Sequence, residues 1–113
     1  MKVFLHHIYE YKKGVRNLIL HTLPLKFKEK ACKTLEKNEI CYTIQEVSQE
    51  KINVLFGDEI CVKVFKEFNK TFLSELSHEE DFILGIMLGY DRRKQCERYI
   101  TRIKKDKKLQ IVA

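Results

Sequence analysis

Ile40-Cys41-Tyr42-Thr43-Ile44-Gln45, then Ser48-Gln49-Glu50, then Lys51-Ile52-Asn53-Val54-Leu55-Phe56-Gly57 is the stretch that decides the fold. Ile40, Tyr42 and Ile44 alternate with Cys41, Thr43 and Gln45. Successive side chains of a strand point to opposite faces, so this period of two reads as a strand. Ile52, Val54 and Phe56 alternate in the same way with Lys51, Asn53 and Leu55, and Ser48-Gln49-Glu50 is short enough for a hairpin turn. Gly57 closes the second strand, and Asp58 stands where it can cap a helix.

Working upstream, Arg16-Asn17-Leu18-Ile19-Leu20-His21-Thr22-Leu23 reads as a buried strand. Pro24 suits the first turn of a helix spanning 24–38, in which Phe27, Ala31 and Leu35 recur at four-residue steps. Residues 3–12 read as a short helix, ended by the turn signal Lys12-Lys13-Gly14. Downstream, Ile60, Cys61, Val64, Phe65 and Phe68 make the apolar face of a helix. Ser77 and Glu80 form a capping box, so another helix begins at His78, with Phe82, Ile83, Ile86 and Met87 inward and Gly89 at its end. A last helix follows Asp91, with Cys96, Tyr99, Ile100 and Ile103 on one face. It is expected to fray after Lys105, leaving 105–113 as a tail.

The order is therefore β-α-β-β-α followed by two helices. Two strands joined through a helix run parallel by a right-handed crossover, and the hairpin strand fits between them. The expected fold is α+β: a three-stranded sheet of order 2-3-1 with about five helices, two of them C-terminal. It is a ferredoxin-like split βαβ lacking its fourth strand. The outer edge of the first strand is left unpaired, and a bare edge needs cover. Residues 3–12, the last two helices or a second copy of the chain would supply it.

At 113 residues the chain is one domain, 1–113. Its 44% hydrophobic and 34% charged residues exclude a disordered or low-complexity segment. The N-terminal ten residues lack a signal peptide's apolar stretch, and the run Ile83 to Tyr90 is too short to span a membrane. A soluble, cytoplasmic protein with no membrane partner is expected. The four cysteines, at 32, 41, 61 and 96, include no C-x-x-C pair, so reduced thiols are expected rather than a zinc or redox site. No Gly-rich phosphate loop or Ser-centred elbow is present. No cofactor and no catalytic residue is assigned, which favours a protein that is not an enzyme.

The net charge of +6 is uneven. From Arg92 to Lys108 there are nine Lys or Arg and two acids, a net +7, while the rest of the chain is −1. Arg92, Arg93, Lys94, Arg98 and Arg102 are the partner-binding candidates, since such a segment suits an acidic partner. The plainer reading is a solvated helix face. His6, His7, Tyr90, Asp91, Cys96 and Tyr99 are candidates for a small pocket. His6 and Glu10 lie one helical turn apart, but adjacent His side chains diverge, and two ligands are too few for a tight metal site. Glycines at 85 and 89 would admit a flat ring or simply a close-packed helix, and Asp91 would serve as a helix cap. Cys96, between Lys94 and Arg98, has a thiolate-favouring setting, although its alignment with Tyr99 and Ile103 points to burial.

Glu79-Glu80-Asp81-Phe82-Ile83-Leu84-Gly85, Leu88-Gly89-Tyr90-Asp91 and Gln95-Cys96-Glu97-Arg98-Tyr99 resemble a bacterial domain-of-unknown-function family, number two thousand and twenty-three. His6-His7-Ile8-Tyr9-Glu10 and Lys13-Gly14-Val15-Arg16-Asn17-Leu18 resemble the same family. The resemblance covers nearly the whole chain except the longer Lys-rich tail after Thr101. It implies three strands, five helices and a homodimer, with members often encoded beside flavodoxin, and it brings no established activity. The leading expectation is a protein-binding module that docks an acidic protein such as flavodoxin. The alternatives are nucleic-acid binding through the basic helix and a cofactor- or metal-binding accessory protein.

Overall fold

The alternating stretch at 41–57 does form the hairpin that organises the molecule. A computed structural model describes residues 1–112, with side chains as far as Lys108. The chain runs α1 (Lys2–Lys12), β1 (Leu18–Pro24), a 3-10 turn (Leu25–Phe27), α2 (Lys28–Lys37), β2 (Cys41–Glu46), β3 (Lys51–Gly57), α3 (Glu59–Glu67), a second 3-10 turn (Leu73–Glu75), α4 (His78–Met87) and α5 (Arg92–Val112). The sheet order is β1-β3-β2. β3 is antiparallel to both neighbours, so β1 and β2 run parallel to each other, as the helix between them requires. The fold is α+β, with five helices around a three-stranded sheet.

Strand alternation divides the core in two. On one face, Phe4 and Ile8 of α1 and Ala31 and Leu35 of α2 cover Ile19, Leu23, Ile52, Val54 and Phe56. On the other, Val62 and Phe65 of α3, Leu76, Leu84 of α4 and Leu88 just beyond its end cover Leu18 and Leu55. Burying each such side chain contributes about 1.5–3 kcal/mol relative to leaving it in water. Asn53 is the one polar residue among the buried described residues, 9% exposed, and its Oδ1 accepts a hydrogen bond from Thr22 Oγ1 at 2.6 Å. Among the described residues, no helix is long and apolar enough to cross a membrane.

Four local readings are corrected. Pro24 ends β1 opposite Lys51 in extended conformation instead of opening a helix. Ile60 is 68% exposed and Val62 takes its place inside, since residues two apart lie about 200° apart on a helix. In α4 the inward positions are Leu84, Gly85 and Leu88, with Ile83 and Ile86 outward. The last helix continues past Lys105 to Val112; of the expected tail, Ala113 lies outside the described residues.

Candidate functional site

The turn between α4 and α5 follows from its sequence. Ser77 and Glu80 cap α4 reciprocally: Ser77 Oγ accepts from the Glu80 amide at 3.0 Å, and Glu80 Oε1 accepts from the Ser77 amide at 2.8 Å. Gly89, at φ 82°, closes the helix in the left-handed region that a side chain disfavours. The Gly89 amide donates to the Ile86 carbonyl and the Tyr90 amide to the Gly85 carbonyl, which completes the C-terminal cap. Asp91 Oδ2 then accepts from the Lys94 amide at 2.9 Å and opens α5.

α5 is tied to α4 through Asp81. Arg98 holds Asp81 with two hydrogen bonds, and Arg102 Nη1 lies 2.8 Å from the same carboxylate. Burial works to raise the Asp81 pKa. The hydrogen bonds from Arg98 and Arg102, reinforced by their charges, outweigh it and hold the carboxyl below its ordinary value. His78 pairs with Asp106 further along. Tyr99 meets Phe82 with ring centres 5.5 Å apart, and Gln95 lies where a side chain on Gly85 would otherwise stand.

The opposite side of α5 is open. Cys96 is exposed and Ile100 is 48% exposed. They line a shallow apolar groove of about 390 Å³ with Arg93, Glu97 and Thr101. The expected burial of Cys96 is therefore corrected. The helix seats through Gln95, Tyr99 and Arg102, and one residue on from Gln95 is a turn of about 100° away from α4. Arg92, Lys94, Lys104, Lys105, Lys107 and Lys108 are exposed and have no ion-pair partner among the described residues. Arg93 pairs with Glu97 at 3.1 Å. Of the five partner-binding candidates, Arg98 and Arg102 are committed to Asp81, whereas Arg92, Arg93 and Lys94 face outward.

The six pocket candidates are not brought together. Tyr90 walls two grooves, Asp91 caps α5, Tyr99 packs at a tilt on Phe82 of α4 and Cys96 faces away. His6 and His7 lie on α1, and the sheet stands between α1 and α4. His7 Nδ1 lies 3.1 Å from Glu10 Oε1 and 3.3 Å from Arg16 Nη1. The two partners make opposite demands: Glu10 needs a proton on that nitrogen, whereas Arg16 needs its lone pair. The His7 and His21 rings meet edge to face at 5.0 Å. Burial, then the His7 charge, push the His21 pKa down. Among the described residues, no three His, Cys, Asp or Glu side chains are arranged to hold a metal ion.

Asp81, Gln95 and Arg16 stood in the sequence only within stretches that resemble the family, with no binding role assigned, and His21 only within the first strand. The signal for Asp81 was its place in the phase of Leu84, Gly85 and Leu88. The signal for His21 was its inward alternation with Ile19 and Leu23.

No curated protein matches the chain. Residues 2–102 match the model of a family described as "Protein of unknown function (DUF2023)", and the α4–α5 segment just described lies within that span, so the chain belongs to this family.

Proposed function

We propose that this protein is a protein-binding module whose open α5 face docks an acidic protein. The observation that carries the reading is the two-sidedness of α5. One side is tied to α4, and the other presents Cys96 and Ile100 beside the Arg93–Glu97 pair, with the exposed cations Arg92, Lys94 and Lys104 on the same helix. An apolar centre with a charged rim is how protein interfaces are built, and the cationic rim would steer an acidic partner. A flavodoxin is the acidic partner this reading names. A homodimer belongs to the same proposal, supported by the apolar surface that α1 leaves exposed at Leu5 and Tyr9, one turn apart.

The test is calorimetric titration into FMN-loaded flavodoxin at physiological salt. Saturable micromolar binding is expected. It should weaken about tenfold or more in the triple variant Arg92→Glu, Arg93→Glu, Lys94→Glu, and fall with added salt. Unchanged affinity in that variant, or no binding at all, would overturn the reading.

A further inference from the structure

We infer that the open edge of β1 takes up an extended acidic segment of the partner as a fourth strand. This rests on the reading of the protein as a docking module for an acidic protein, and names the form in which that protein is held.

The direction of the β1 hydrogen bonds carries the first step. At the two ends of the β1–β3 ladder the Asp58 amide donates to the Asn17 carbonyl at 2.8 Å, and the Leu25 amide to the Glu50 carbonyl at 2.7 Å. Within the antiparallel register between them, every second residue faces β3. Ile19, His21 and Leu23 therefore bond to β3. Leu18, Leu20 and Thr22 turn their amides and carbonyls to the open side. Leu18 is fully buried, Leu20 half-buried and Thr22 exposed, so Leu20 and Thr22 are the residues at which an added strand would pair. Pro24 contributes only a carbonyl and ends the edge.

The flank of this edge is shaped to receive side chains. Beside Leu20 is a groove of about 230 Å³ walled by Leu84, Leu88 and Tyr90, with the Asp81–Arg98 pair at its rim. Next to it, a groove of about 420 Å³ runs past Arg16, Asn17 and Tyr90 at the start of β1. An added strand needs both features: main-chain partners for affinity, and pockets on one side for alternate residues. The sign of the occupant follows from the walls. Arg16 has no carboxylate within ion-pair distance among the described residues, and its only polar side-chain contact there is His7. At the other groove Arg98 is held by Asp81, so Arg16 is the charge that selects the occupant. The occupant is an extended segment with a bulky apolar side chain against Leu20 and an Asp or Glu against Arg16. Gln95 and Arg98 bring α5 to the same groove, so the edge is continuous with the basic helix.

The probe is a short N-acetylated, fluorescein-labelled peptide in which glutamate and phenylalanine stand two residues apart with threonine between them, so that both line one face of a strand, and a control has lysine for glutamate. Binding is read by fluorescence anisotropy, and its location by amide hydrogen exchange. The glutamate peptide should bind and slow exchange at the Leu20 and Thr22 amides, and the lysine peptide should not. Thr22→Pro removes one outward donor, and Arg16→Glu reverses the charge without touching the strand. Each should weaken binding about tenfold or more, while Arg92→Glu with Lys94→Glu leaves it within about twofold. Three results would overturn the inference: no peptide binding, protection confined to α5, or Leu20 and Thr22 already protected in the free protein in a concentration-dependent way, which would mean a second copy occupies the edge. If Thr22→Pro retains full affinity for the acidic protein while the α5 reversal abolishes it, the edge inference fails and the α5 reading stands.

Discussion

Arg98 grips Asp81 with both arms of its guanidinium, Nε to Oδ2 at 2.9 Å and Nη2 to Oδ1 at 3.2 Å. A two-point pair fixes geometry as well as attraction, and Arg102 adds a third contact. Asp81→Asn should loosen α5 from α4 at a cost of about 1–2 kcal/mol, discounted for the exposure of Arg98. Hydrogen exchange should speed up in α5 and stay unchanged in β3. Because the folded carboxyl titrates below its ordinary value, the clamp is intact above the usual carboxylate range and is lost as pH falls through the depressed value. An α5 that exchanges no faster in the variant would show that apolar contacts hold it.

Gly85 and Gln95 should be coupled. A methyl group on Gly85 would collide with the Gln95 carboxamide, which is the far end of a flexible chain. Gly85→Ala alone should therefore be close to neutral, because displacing Gln95 offsets the helix gain of about 0.5–1 kcal/mol. Combined with Gln95→Ala it should stabilise. Gly85→Leu should lose about 1–3 kcal/mol through overpacking. A thermal-unfolding cycle on these variants reads the coupling, and strict additivity would contradict the contact.

His21 should make the fold acid-sensitive in the histidine range. Its folded pKa is lowered, so between the folded value and the unfolded value of about 6.5 the unfolded chain binds a proton that the folded chain refuses. Stability is full above that window and falls as pH drops through it. His21→Phe should flatten the drop in urea midpoint between about pH 7.5 and about pH 5. A drop of the same size in the variant would show that His21 is not its source.

Thiol labelling should separate the four cysteines into two pairs. Cys41 and Cys96 are exposed and should react quickly with an aromatic disulfide reagent, whereas Cys32 and Cys61 are half-buried. Cys61 should be slowest, because burial, then the Asp58 charge, push its thiol pKa up. Mass mapping after brief labelling gives the order, and a slow Cys96 would mean that something covers the open face of α5.

The strands and caps were legible because their signals are local. Alternation at 41–57 is a property of neighbouring residues, and Ser77, Glu80, Gly89 and Asp91 act within one turn of their own helix. The inner face of α4 was not. Large apolar residues were assigned inward, yet Gly85 contributes no side chain to the pattern and Asp81 counts as polar although its charge is met by Arg98 and Arg102. Long-range pairing is what hid these residues: Arg98 lies 17 positions from Asp81, so it read as a free cation. The same cause put Cys96 on the wrong side of α5. Arg16 stood in a family-like stretch that gave it no role and His21 carried no motif; their significance comes from α1 being folded across β1.

β3 bears on how the protein comes apart. Every residue from Ile52 to Gly57 is buried, with Ile52, Val54 and Phe56 belonging to one apolar cluster and Leu55 to the other. A single strand is thus a party wall for both halves of the interior. Neither half can melt while its neighbour stays whole, so unfolding is cooperative, and the β3 amides are the last to open.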